Sequence, residues 1–312
     1  MSALSKQGRI LVIRGGAIGD FILTLPVFAA LRTQFPQSQL HVLGYPHIAQ
    51  LALAGGVVDE VRSIEARALA SFFAKQISLD ATLAQYFSQF HVIVSFLYDP
   101  DEIFKDNISH ACGSQFIVGS HRPDESRKVH ATQVFLSALE RLAIFDADPI
   151  PRLKVAATSE TTLPAGRWLA LHPGSGGEHK NWPETHWLEL VQQLVAQSDW
   201  NFLLIGGEAE GQKLERLAAV VPPNRLRLAR NLSLPDVARL LQQCDLFVGH
   251  DSGITHLAAA LERPGLVLWA DTQEEIWRPR HEALHLVRKP RGLAVLAVGD
   301  VLGRLLARMK SV

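Results

Sequence analysis

Arg9-Ile-Leu-Val-Ile-Arg-Gly-Gly-Ala-Ile-Gly-Asp-Phe-Ile-Leu-Thr-Leu-Pro26 sets the reading of the whole chain. Arg9–Arg14 is a short, continuous apolar run bounded by glycines, which reads as a strand buried on both faces. Gly15 and Gly16 break it. From Gly19 to Phe35 the spacing changes, and Ile22, Leu25, Phe28, Ala29 and Leu31 recur as on one side of a helix. A buried strand feeding a glycine turn and then a helix is the opening of a parallel sheet, whose strands need long crossovers.

The same alternation extends outward. Gln39–Gly44, His91–Leu97 and Gln115–Gly119 read as further strands, with candidate helices at Ala66–Lys75, Leu79–Gln89 and Lys128–Leu142. The stretch from Asp146 to Gly166 carries Pro149, Pro151 and Pro164 around the polar run Thr158–Thr162. It reads as a linker with a short strand near Leu153–Val155. The pattern then restarts. Strands are expected at Trp168–His172, Asn201–Gly206, Arg225–Leu228, Asp245–Gly249 and Gly265–Trp269. Helices are expected at Glu184–Gln197, Ala209–Val220, Leu234–Cys244 and Gly253–Glu262. This predicts an α/β protein with two doubly wound, Rossmann-like domains facing a central cleft: an N-terminal domain over 1–155 and a C-terminal one over 166–290. A C-terminal helix over 291–312 follows, with Val295, Val298, Leu302, Leu305 and Met309 on one face and Arg304, Arg308 and Lys310 as its basic residues. Periodicity suits a helix packed on the domains; the basic residues leave contact with a membrane surface open.

Composition narrows the function. The chain has 312 residues, 47% apolar and 20% charged, a globular balance. Lys plus Arg and Asp plus Glu are 31 each, so no global charge draws it to nucleic acid or an anionic membrane, and any anion site must be local. Cys112 and Cys244 lie in unrelated segments, without metal spacing or a disulfide framework, which favours a reducing, cytoplasmic setting. The polar residues Met1–Gly8 and the brief run Ile10–Ile13 suit neither a signal-peptide core nor a membrane span.

Each of the three main motifs lies where a strand passes into a helix. In Arg14-Gly-Gly-Ala-Ile-Gly-Asp20, the backbone suits close approach of a ligand. Arg14, however, stands where a nicotinamide fingerprint needs its first glycine, and Leu43-Gly-Tyr-Pro46 lacks the acidic residue such a site needs. Asp20 sits at a helix start, where the dipole and N–H groups favour its ionised form. It suits either a cap or a general base for an attacking hydroxyl. His172-Pro-Gly-Ser-Gly-Gly-Glu-His-Lys-Asn-Trp-Pro183 lacks the ending of a P-loop, yet offers glycines, Ser175 and the Lys180 charge to phosphate oxygens. The other reading is a surface turn. Gly249-His-Asp-Ser-Gly-Ile-Thr-His256 supplies an N-cap in Ser252, free N–H groups around Gly253 and a histidine one turn on. It suits a diphosphate or simply a capped helix. In Gly206-Gly-Glu-Ala-Glu210, Glu208 and Glu210 compete as ribose partners, against an exposed helix-start carboxylate.

Together these residues resemble glycosyltransferase family 9, the ADP-heptose:lipopolysaccharide heptosyltransferases and their relatives. The resemblance is carried by Gly-Asp-Phe-Ile-Leu-Thr-Leu-Pro at 19–26, His-Pro-Gly-Ser at 172–175 with Lys-Asn-Trp-Pro at 180–183, and Asp-Ser-Gly-Ile-Thr-His at 251–256. It implies a GT-B fold with an acceptor-binding N-terminal domain and a nucleotide-sugar-binding C-terminal domain. By motif match it makes Asp20 the catalytic base. Ser175, Gly176 and Lys180 become diphosphate contacts, with Ser252, Gly253 and His256 opposite, and Asp251 and Glu210 lie near the nucleotide. The implied activity is inverting transfer of a sugar, heptose from ADP-heptose, onto a lipopolysaccharide core hydroxyl, without a metal or other cofactor. His250 departs from the asparagine common before Asp-Ser-Gly, which leaves the donor base and sugar open.

An anionic glycolipid acceptor calls for basic residues in the N-terminal half, where Arg62, Arg67, Arg122, Arg127 and Lys128 stand as candidates with His130 nearby. The implied partners are the nucleotide sugar and a lipopolysaccharide core or related glycolipid, with peripheral contact at the inner face of the cytoplasmic membrane. Two alternatives stay open: a relative using another nucleotide sugar or acceptor, and a nucleotide-sugar-binding module without turnover.

Overall fold

The computed structural model describes residues 8–75, 78–208 and 210–311. Residues 1–7 of the polar N-terminus, and Ala209, with which the predicted helix 209–220 opens, lie outside the described residues. The chain divides into two compact units, Met1–Pro151 and Arg152–Val312.

Unit 1 holds five parallel strands: β1 (Arg9–Arg14), β2 (Gln39–Gly44), β3 (Glu60–Ser63), β4 (Val92–Ser95) and β5 (Gln115–Val118). Their order is β3-β2-β1-β4-β5. Leu11, Ile13, Leu43, Ile93 and Phe104 pack in its core with Phe72, Phe87 and Phe90. Unit 2 holds six: β6 (Trp168–His172), β7 (Asn201–Gly206), β8 (Leu226–Arg230), β9 (Leu246–His250), β10 (Gly265–Leu268) and β11 (Leu284–Val287). These run parallel in the order β11-β10-β9-β6-β7-β8. In each unit the strand order reverses beside the first strand, between β1 and β4 and between β6 and β9. Open α/β sheets bind ligands outside the carboxyl ends of strands at such a reversal.

Several elements differ from the sequence expectation. The helix expected over Gly19–Phe35 is two helices, Ile18–Leu23 and Leu25–Gln34. Pro26 sits in the first turn of the second and has no N–H to continue the ladder, and the Thr24 hydroxyl bonds back to the Asp20 carbonyl at 2.8 Å. Arg67–Phe73 winds as a 3-10 helix. Lys128–Leu142 reduces to a helix at Ala131–Leu136 followed by a 3-10 turn at Ser137–Leu142. β3 (Glu-Val-Arg-Ser) and β11 (Leu-His-Leu-Val) are edge strands of four residues each and were not expected. The helices Pro46–Ala54 and Ile103–Ala111 also went unpredicted.

The expected strand at Leu153–Val155 does not form. Its backbone is satisfied differently: Leu153 N–H donates to the Ala260 carbonyl at 2.8 Å and Val155 N–H to Gln242 Oε1 at 3.2 Å. The side-chain amide of Gln243 donates to the Thr161 carbonyl at 2.7 Å. The segment after Pro151 is thereby fastened along unit 2, and the boundary falls before Leu153 rather than after Val155.

The C-terminal helix, Val298–Met309, buries Val298, Val301, Leu302, Leu305 and Met309 in the unit 2 core beside Trp187 and Leu190. Val295, expected on that face, is instead 54% exposed in the preceding 3-10 turn. The apolar face is spent on packing and is not displayed to a lipid surface. No helix among the described residues is long and apolar enough to cross a membrane. Leu305 is fully buried, so Leu305→Ala is expected to cost about 2–5 kcal/mol, read as a lower urea midpoint for unfolding.

Candidate functional site

In unit 1 the chain leaves β1 through Gly15 and Gly16 and enters the first helix. Gly16 has φ +94°, and a Cβ there would stand 3.0 Å from Asp20 Oδ2, so both conformation and space ask for glycine. Asp20 lies in the first helical turn and is part-exposed. Its Oδ2 accepts the Ala17 N–H at 3.1 Å, so the capping role is real. Its Oδ1 faces the Arg14 guanidinium at 3.6 Å.

Arg14, which the sequence marks only as a departure from a nicotinamide fingerprint, is the second charged group of this turn. It ends β1 only 2% exposed, stacks at 4.4 Å over the Phe135 ring and donates to the His121 carbonyl at 2.9 Å. Burial lowers its pKa to about 10 while Asp20 pushes it back up, so it stays charged at neutral pH. Its signal in the sequence was a charge closing an otherwise apolar strand.

The basic residues proposed for the acceptor do not form one cluster. Arg62 lies on β3, paired with Glu60 at 2.9 Å and stacked over Tyr86 at 3.9 Å, and Arg67 follows on the same side. Arg122, Arg127 and Lys128 follow β5, at the opposite edge of the sheet. Arg122 pairs with Glu125 at 2.7 Å. His130 is buried and caps the helix Ala131–Leu136, its Nδ1 accepting the Thr132 N–H.

In unit 2 the predicted donor residues do converge. β6 and β9 are neighbours, with His172 opposite Gly249, so the turns that follow them lie side by side. Lys180 Nζ reaches Asp251 Oδ2 at 2.9 Å, and Thr272, which sequence reading had not singled out, donates to the same oxygen at 2.5 Å. Ser252 caps the helix Gly253–Ala260 through Thr255 N–H and contacts His172 Nδ1 at 3.3 Å. His256, one turn on, is buried at 6% exposure. Ser175 folds into its own turn, donating to the Gly177 carbonyl at 2.8 Å, and Gly176 is exposed.

Glu210 arrives from the turn after β7. It accepts the Gly207 N–H at 2.7 Å, and its other oxygen lies where a Cβ on Gly174 would stand, 1.8 Å away. Of the two competing carboxylates, Glu210 therefore lies on the His172–Trp182 loop, whereas Glu208 is exposed. Gly174 is required by this contact.

His250 explains its own departure from asparagine. It is fully buried at the end of β9. Its Nε2 accepts the Trp182 N–H at 2.8 Å, which leaves Nδ1 to carry the proton towards the Gly174 carbonyl at 3.4 Å. The Trp187 ring closes over it edge-on at 5.4 Å. One imidazole thus spans the loop that carries Ser175 and Lys180. Burial drops its pKa to about 3, aided by the nearby His172, and burial likewise lowers that of His172 against the pull of Glu210. Among the described residues, no group of three or more His, Cys, Asp or Glu is disposed to hold a metal ion.

Two outcomes follow for this loop. Gly174→Ala forces Glu210 aside and is expected to lower the melting temperature, whereas Gly174→Ala with Glu210→Ala recovers much of the loss, measured by calorimetry. For His250, the folded chain resists a proton that the unfolded chain accepts near 6.5. Stability is therefore complete above 6.5 and falls with pH towards 3, by about 1.4 kcal/mol per unit for one such group. Urea unfolding of His250→Gln should show a shallower decline between pH 6.5 and pH 4.5 than the natural protein.

The family model for glycosyltransferase family 9 (heptosyltransferase) matches residues 121–295, more than half of the chain. A Haemophilus influenzae protein described as a glycosyltransferase is 25% identical over 300 residues, covering 87% of this chain and 86% of its own. Lipooligosaccharide heptosyltransferase 2 of the same organism is 24% identical over 312 residues, covering 91% and 89%. Among solved structures, the Escherichia coli ADP-heptose lps heptosyltransferase II superimposes with a TM-score of 0.76 at 18% identity, over 97% of this chain and 99% of that one. Two parallel sheets in these strand orders, and this match, make the fold GT-B. The chain belongs to glycosyltransferase family 9, the heptosyltransferase family of lipopolysaccharide biosynthesis.

Proposed function

We propose that this enzyme transfers heptose from ADP-heptose to a hydroxyl of a lipopolysaccharide core acceptor, with inversion at the anomeric carbon. The observation that carries the donor half is the convergence of Lys180, Glu210, Asp251 and Ser252 on the turns after β6, β7 and β9. The structural relative named for ADP-heptose supports the choice of donor.

Lys180 has three donors, and one is engaged by Asp251. The others meet diphosphate oxygens, together with the N–H groups at Ser252 and Gly253 and the exposed backbone at Gly176. Glu210 accepts a ribose hydroxyl. Asp20 takes the proton of the acceptor hydroxyl. The oxygen attacks the anomeric carbon, the bond from that carbon to the diphosphate breaks, and ADP leaves with the electron pair. Lys180 and the helix start at 252–253 stabilise the charge that develops on it, the electrostatic help this step needs and that these groups supply without a metal. Arg14, 3.6 Å from Asp20, holds the carboxylate in position. The acceptor is bound by unit 1, where Arg127 and Lys128 after β5 and Arg67 after β3 stand at opposite edges of the sheet as separate candidate cations for its phosphates; peripheral contact with the membrane surface would set the enzyme beside such a lipid.

Two variants separate the roles. Asp20→Ala is expected to lose about 10²–10⁴ in kcat while ADP affinity is kept, and Lys180→Ala to weaken ADP binding. Steady-state transfer and calorimetric titration of ADP check both. Undiminished transfer by Asp20→Ala sinks the assignment of the base.

A further inference from the structure

The strand order of unit 1 reverses between β1 and β4, and two tyrosine–histidine pairs flank the turn after β1. After β4, Tyr98 is 70% exposed, with its ring 4.8 Å from that of His121, which follows β5. After β2, the Tyr45 ring lies 5.8 Å from that of the exposed His47, tilted by 36°. A Cβ on Gly15 would touch Tyr45 Cε2 at 3.9 Å and Leu97 Cδ2 at 3.8 Å, so the glycine turn runs between the Tyr45 ring and the residue preceding Tyr98.

We propose that Tyr98 with His121, and Tyr45 with His47 across the Gly15–Gly16 turn, form a stacking subsite for the sugar rings of the acceptor. This rests on the acceptor-binding role given to unit 1 above. The first argument is exposure: a tyrosine 70% open to water adds little to the core, yet this one is held in place. The Asp99 carboxylate beside it accepts the Phe104 and Lys105 N–H groups at 3.2 and 3.0 Å, which fixes the loop. His121 is held through its carbonyl by Arg14, the same side chain that faces Asp20. The aromatic pair and the base are therefore braced by one buried cation, and rigid support is what a positioning site needs.

The second argument is chemical. A pyranose presents a face of C–H bonds and an edge of hydroxyls. An aromatic ring covers the first with little loss of side-chain freedom, and imidazole and phenol groups bond the second. The turn fits no dinucleotide, because Arg14 replaces the first fingerprint glycine and Tyr45-Pro46 stands where the acidic ribose partner belongs.

The test is saturation-transfer NMR and affinity titration with a de-acylated lipopolysaccharide core oligosaccharide, in the presence of ADP, on the full chain. Tyr98→Ala and Tyr45→Ala are each expected to weaken oligosaccharide binding about tenfold, with ADP affinity and melting temperature unchanged. Tyr98→Phe keeps the ring and should recover most of the loss. Oligosaccharide affinity unchanged in both alanine variants, or a loss of ADP affinity in either, overturns the subsite alone. Failure of the natural protein to bind the oligosaccharide overturns the acceptor reading and the subsite with it.

Discussion

The ion pair between Lys180 and Asp251, 2.9 Å from Nζ to Oδ2, joins the loop after β6 to the turn after β9 at the reversal of the unit 2 sheet. Asp251 is 9% exposed, and a carboxylate so buried is costly without partners; it has both the lysine and the Thr272 hydroxyl. The arrangement keeps the ammonium in place while leaving it donors to spend. Behind it stands His250, which must stay neutral to accept the Trp182 N–H. A protonated ring would place one donor against another. Burial keeps it neutral, so the loop carrying Ser175 and Lys180 keeps its span down to acid pH.

Unit 1 solves a related problem with the opposite charge. Its buried group is a cation, Arg14, which no carboxylate meets closer than 3.6 Å. It is covered by Phe135 and tied to a backbone carbonyl. In both units the central strands are buried on both faces, so polar groups collect at their carboxyl ends. There a buried basic side chain sets the geometry of a turn whose more exposed atoms are left for chemistry. Asp20 illustrates the compromise, since one oxygen caps the helix and the other faces Arg14.

The strands that frame each site were legible because they are continuous apolar runs: Ile10–Ile13, Leu169–Leu171 and Phe247–Val248 are fully or nearly fully buried. β3 was not, because this edge strand buries too little to need an apolar sequence and Glu60-Val-Arg-Ser63 shows no pattern; β11, Leu-His-Leu-Val, is apolar but only four residues long. The break at Thr24 was visible in Pro26 but was outweighed by helical spacing on both sides. Lys180, Asp251 and Ser252 were legible as motif residues. The bonds that organise them were not, because Trp182 and Gly174 lie 68 and 76 positions from His250. How the basic acceptor candidates are distributed was not legible either, because strand order separates them, with β3 and β5 at opposite edges of the sheet.

The proposed donor role makes unit 2 a nucleotide-diphosphate site, with ADP as the nucleotide that the ADP-heptose reading requires. The direct measurement is the melting temperature with saturating ADP, UDP or GDP, since a ligand that binds only the folded chain must stabilise it. At a concentration a hundred times Kd, ADP should add about 2.7 kcal/mol, seen as a rise of several degrees that UDP and GDP do not match. A larger rise with UDP or GDP, or none with any of the three, contradicts the account.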